Sequence, residues 1–104
     1  MERDPKSYNV RAVERAVQIL SSFDSEHAKQ GVSEIAHSTG LHKATTHRIT
    51  MTLLNSGFLE RTADGEQFRL GLPLVKLGMG ALHRLDVRRA AQSYMHRLVG
   101  ELKE

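Results

Sequence analysis

The chain has no cysteine and no tryptophan, and aromatics are only 5% of its 104 residues. Without cysteine there is no disulfide framework and no thiolate metal site, which fits a reducing cytosol and disfavours a small secreted scaffold. Hydrophobic residues make up 39%, so the core is expected to be aliphatic, helical and modest in size. The polar start, Met1 to Lys6, has no following apolar run of signal-peptide length, and no segment approaches the length needed to cross a bilayer. A soluble, cytoplasmic protein with no membrane partner is expected. One further absence is local: no Asp or Glu stands between Glu34 and Glu60, in a chain whose formal charge is +3. That window permits a polyanionic partner.

What is present reads as five helices and a hairpin. Residues 1–8 form a polar arm. Asn9 can cap a helix from Val10 to about Phe23 with Val13, Ala16, Val17, Leu20 and Phe23 on its apolar face. After a polar loop, Ser33 can cap a short helix from Glu34 to about Thr39, with Ile35 and Ala36 inward. Gly40 supplies a left-handed stop and Leu41 plugs the turn. A third helix then runs from about Lys43 to Asn55, with Thr45, Ile49, Thr52 and Leu53 inward and Lys43, Thr46, His47 and Thr50 outward. Ser56-Gly57 ends it. The period then becomes extended: two short strands around Phe58–Arg61 and Gln67–Leu70 flank Asp64-Gly65, a hairpin signal. Pro73 suits the first turn of a fourth helix carrying Leu74, Leu77, Gly78, Ala81 and Leu85. Asp86 can cap a fifth, with Val87, Ala90, Ala91, Tyr94, Met95, Leu98, Val99 and Leu102 as its apolar stripe.

Helix, helix, turn, helix and two-stranded wing is the order of a winged helix-turn-helix, whose third helix enters the major groove. The expected fold is mainly α with a small two-stranded β wing, followed by linker and C-terminal helices. The outward side of the third helix offers hydrogen-bond donors, as a surface facing phosphates and base edges requires. Thr46 and His47 are therefore the candidates for base edges, with Lys43 and Thr50 as neighbours, and Thr45 is counted among the DNA-facing residues although it also stands in the inward stripe. Arg61 is the leading candidate on the wing, ahead of Gln67 and Arg69. Arg11, Arg15 and Lys6 are placed to hold flanking backbone, with a structural ion pair to Glu14 or in the neighbourhood of Asp24 an open alternative for Arg15. A solvated helix face is the plain alternative for the whole set.

Val13 to Leu20, Ser33-Glu34-Ile35-Ala36, Gly40-Leu41, Thr45 to Ile49, Leu53, Gly57-Phe58-Leu59 and Phe68-Arg69-Leu70-Gly71 together resemble the IclR-type bacterial transcription regulators. The resemblance implies a dimeric, nucleoid-associated repressor or activator bound to a palindromic operator. It makes Arg48 a family-typical arginine, read as a phosphate contact or a brace to the wing in preference to direct readout of bases. It also implies a winged helix-turn-helix over 9–71, a linker and dimerisation helix over 72–86, and a helix over 87–104 like the start of a downstream small-molecule effector domain. The chain is expected to be a fragment without that domain and its effector site. His42 and Ala44 depart from the proline and serine common in the family.

Other chemistry is poorly supported. His37, His42 and His47 are five apart, which does not align metal ligands on one helical face. There is no Gly-rich phosphate loop and no pair of carboxylates on one expected face. No enzyme, cofactor or metal site is expected. The rival function is a winged-helix protein-interaction module.

Overall fold

The computed structural model describes residues 8–84 and 87–102, leaving Lys6, Leu85 and Asp86 outside. The elements follow the order α1 (Arg11–Ser21), α2 (Val32–Thr39), α3 (Lys43–Asn55), β1 (Leu59–Arg61), β2 (Phe68–Leu70), α4 (Leu72–Arg84) and α5 (Val87–Leu102). This is the mainly helical, winged arrangement that the sequence implies. Two compact units divide the chain between Leu72 and Pro73.

In the first unit α3 packs against α1, α2 and β1. The core is Ile19, Phe23, Ile35, Leu53, Leu59 and Phe68, flanked by partly buried residues such as Ala16, Leu20, Leu41 and Ile49. On α1 the buried arc is Ala16, Ile19, Leu20 and Phe23, spaced at three and four residues. Val13 and Val17, expected inside, remain 60% and 56% exposed. The apolar arc of α1 is wider than the core beneath it, and periodicity alone does not say which part is covered.

Two helix starts differ from the sequence reading. Val10 takes the N-cap position of α1 without a side-chain bond, because Asn9 Nδ2 donates outward to Glu14 Oε2 at 3.0 Å. Gly31, not Ser33, precedes α2. Glu34 Oε1 accepts the Gly31 N–H at 2.8 Å, so a carboxylate in the first turn does the capping from inside the helix. Gly40 is left-handed at φ 76° and its N–H returns to Ala36 O, as a helix stop requires.

The wing is antiparallel, pairing Leu59 with Leu70, Glu60 with Arg69 and Arg61 with Phe68. Its turn is longer than a two-residue Asp-Gly connection. Gly65 N–H closes on Thr62 O at 2.8 Å and Thr62 N–H on Gln67 O at 2.9 Å, with Gly65 at φ 76°. Gln30 adds a bridge on the other side of β2, exchanging backbone bonds with Phe68 at 3.0 and 2.7 Å. Its buried side-chain amide donates to Ser22 O and Oγ, both at 3.2 Å. The end of a loop read as merely polar is thus the third edge of the wing's base.

In the second unit Pro73 lies in the first turn of α4, where its missing N–H costs nothing. Val75, Leu77 and Met79 on α4, and Tyr94, Met95 and Leu98 on α5, are large apolar side chains in solvent, as is Leu72 at the end of the first unit.

Candidate nucleic-acid interface

The turn Gly40–His42 sets where α3 begins, and the partners of α3 set which of its sides is buried. His42 O accepts both the N–H and the Oγ1–H of Thr46, each at 2.9 Å. Thr46 and Thr50 are 0% exposed and lie with Leu53 on the inner side. This corrects the sequence reading, which placed both threonines outward. The inner face is rotated by close to one residue position, roughly 100°, from the expected stripe. Thr45 and Ile49 fall at its rim, and Thr52 is exposed. A helix covered on three sides must bury a wide arc. Threonine can join that arc because its methyl packs and its hydroxyl can bond the carbonyl one turn back.

Lys43, Ala44, His47, Arg48 and Thr52 form the exposed side. Ala44 and Arg48, one turn apart, lie near its middle, and Lys43 and His47 flank them toward the wing. Among the described residues no hydrogen bond or ion pair engages the side chains of Lys43, His47 or Arg48. The brace expected between Arg48 and the wing is therefore not formed. Arg61 makes that connection instead. Its guanidinium lies 5.2 Å from the centre of the Phe68 ring, with Nη1 3.5 Å from Gly65 O and Nη2 3.8 Å from Met51 Sδ. The wing's cation is thereby held beside the exposed side of α3.

A shallow groove lies between the start of α2, the Lys43–His47–Met51 ridge and the wing, and Arg61, Glu34 and Glu66 also line it. The gap in carboxylates along the sequence does not extend into space. Glu34 is nonetheless occupied, holding the Gly31 N–H and, at 3.2 Å, the Gln67 amide. The Gly31 bond first, and then that of Gln67, hold its carboxyl below the usual range. Arg69 pairs across the strands with Glu60 at 3.2 Å. Gln67 and Arg69 are thus tied within the fold, which leaves Arg61 as the wing cation nearest α3.

Arg11 and Arg15 lie elsewhere, along a separate hollow on α1 with Tyr8, Val13 and Val17. The Glu14 carboxylate engages Asn9 and not Arg15. Among the described residues no three His, Cys, Asp or Glu side chains gather as a metal site, and no helix is long and apolar enough to cross a membrane.

Residues 12–63, which hold α1 through β1, match the IclR helix-turn-helix domain. The chain belongs to the IclR family. It is 30% identical over 89 residues to the HTH-type transcriptional regulator XynR of Escherichia coli (strain K12), covering 86% of this chain and 35% of that protein. It is 37% identical over 82 residues to the glycerol operon regulatory protein of Streptomyces coelicolor, covering 77% and 32%. Among solved structures, an IclR family transcriptional regulator from Brucella abortus superposes with a TM-score of 0.73 at 33% identity, over 88% of this chain and 35% of that one. An IclR homolog from Microbacterium hydrocarbonoxydans, solved with 4-hydroxybenzoate, gives 0.67 at 30% identity, over 89% and 38%. The chain spans about a third of the length of these relatives.

Proposed function

We propose that this chain is the DNA-binding portion of a transcription regulator, acting as a homodimer on an inverted repeat in double-stranded DNA. The observation that carries this reading is the exposed side of α3. Lys43, His47 and Arg48 stand there with nothing holding them, on a helix fixed from behind by Ile19, Ile35 and Leu53 and flanked by Arg61. A rigid rod with a free cationic side is what insertion into a major groove requires. Membership of a family of regulators supports the same reading. Arg61 is assigned to a phosphate beside the helix, Thr45 to the rim of the contact, and Arg11 and Arg15 to backbone on the flank. Thr46 and Thr50 have no place in it. A protein-interaction module is the rival reading, favoured by the exposed strip Val10, Val13 and Val17.

Gel-shift titration against mixed duplex at two salt concentrations separates the two. Binding is expected to weaken steeply with salt, and Arg61→Ala is expected to reduce the slope by about 1. Absence of salt-sensitive binding would remove the DNA reading and leave the interaction module.

A further inference from the structure

We infer that the half-site read by α3 carries guanine, with Arg48 spanning the N7 and O6 of one guanine while Lys43 and His47 meet neighbouring acceptors. This rests on the DNA-binding reading and narrows it to a class of sequence. The argument is one of chemical complement. The side chains exposed in the first turns of α3 are Lys43, Ala44, His47 and Arg48. Lysine and arginine only donate, and histidine offers at most one acceptor.

In the major groove only guanine presents two adjacent acceptors to such a face. Adenine pairs one acceptor with a donor and calls for Asn or Gln, whereas the cytosine amino group calls for a carboxylate. The only amide on α3 is Asn55, its last residue, and α3 has no carboxylate. Of the two carboxylates lining the adjoining groove, Glu34 is held by Gly31 and Gln67, and Glu66 stands on the turn of the wing and not on α3. Arg48 is the central member because it lies near the middle of the exposed arc, and its planar fork suits two parallel bonds. Arg61, held between Phe68 of the wing and Met51 of α3, comes from the wing and not from the exposed arc, and is assigned to the backbone. Ala44, one turn before Arg48, presents a methyl that suits a neighbouring thymine methyl.

The test is selection of duplexes from a random pool by this chain, followed by titration of the enriched site with 7-deazaguanine in place of each guanine, which deletes N7 and keeps the base pair. The enriched half-site is expected to contain guanine, and deletion of N7 at the Arg48 position is expected to weaken binding about tenfold. Arg48→Ala should remove the preference at that position alone and weaken binding to the enriched site more than binding to random duplex, with the melting temperature retained. An enriched half-site of A·T pairs only, indifference to 7-deazaguanine, or an equal loss on every duplex from Arg48→Ala would overturn the inference while leaving DNA binding in place. No binding to any duplex would overturn both.

Discussion

Thr46 and Thr50 show how one residue type can serve two ends in a buried position. The Thr46 hydroxyl returns to His42 O. The Thr50 Oγ1, equally buried, is the one buried side-chain nitrogen or oxygen left without a partner among the described residues. A buried hydroxyl with no partner is destabilising, whereas an apolar group of the same shape is not. Thr50→Val is therefore expected to stabilise the chain by about 1 kcal/mol, measured as a higher urea midpoint with unchanged slope. A midpoint that stays or falls would show that the hydroxyl is satisfied in solution. The same two residues mark a limit of sequence reading. Threonine is polar by its hydroxyl and apolar by its methyl, so the sequence reading puts Thr45 and Thr52 inward and Thr46 and Thr50 outward, and only the neighbours that α3 meets decide which threonines are covered.

Among the elements, the stops and turns fixed by glycine were legible, whereas the caps of α1 and α2 and the features fixed by packing were not. The left-handed stop at Gly40, the break at Gly57 and the hairpin at Asp64-Gly65 follow from backbone freedom that few residues share. They are where the sequence places them. The rotation of α3, the uncovered strip of α1 and the bridge of Gln30 to β2 depend on what lies opposite, and no periodicity encodes that. Two glycines separate these effects. Gly40 has open space where a Cβ would stand, so Gly40→Ala carries only the left-handed penalty, about 1–2 kcal/mol. At Gly71 a Cβ would overlap the Gly57 carbonyl oxygen, and the Gly71 N–H holds Phe58 O at 2.8 Å. Gly71→Ala is expected to cost more than Gly40→Ala, with thermal melts of the two variants as the comparison. Equal losses would mean that the strand end can move aside.

For the whole molecule the unsettled quantity is apolar surface. Leu72, Val75, Leu77 and Met79 on α4, with Tyr94, Met95 and Leu98 on α5, are too many large side chains to stay wet in isolation. Under the homodimer proposal the chain is expected to sediment at twice its mass at micromolar concentration, and Leu77→Glu to shift it toward monomer. The variant should bind a single half-site as before and lose the advantage of an inverted repeat, whose two half-sites lie about 34 Å apart. A chain that sediments as monomer whatever its concentration would count against self-association through this surface.

The division of α3 into a packed side and an unengaged side bears on how such a protein could acquire new targets. Under the DNA-binding proposal, changes at the exposed positions 43, 47 and 48 would break no side-chain hydrogen bond or ion pair among the described residues, so a lineage could drift from one operator to another there without a spell of instability. Changes at positions 46, 50 and 53 would be judged on folding before any promoter was met. On that proposal, recognition and persistence of the fold would fall under separate selection within a single rod of thirteen residues.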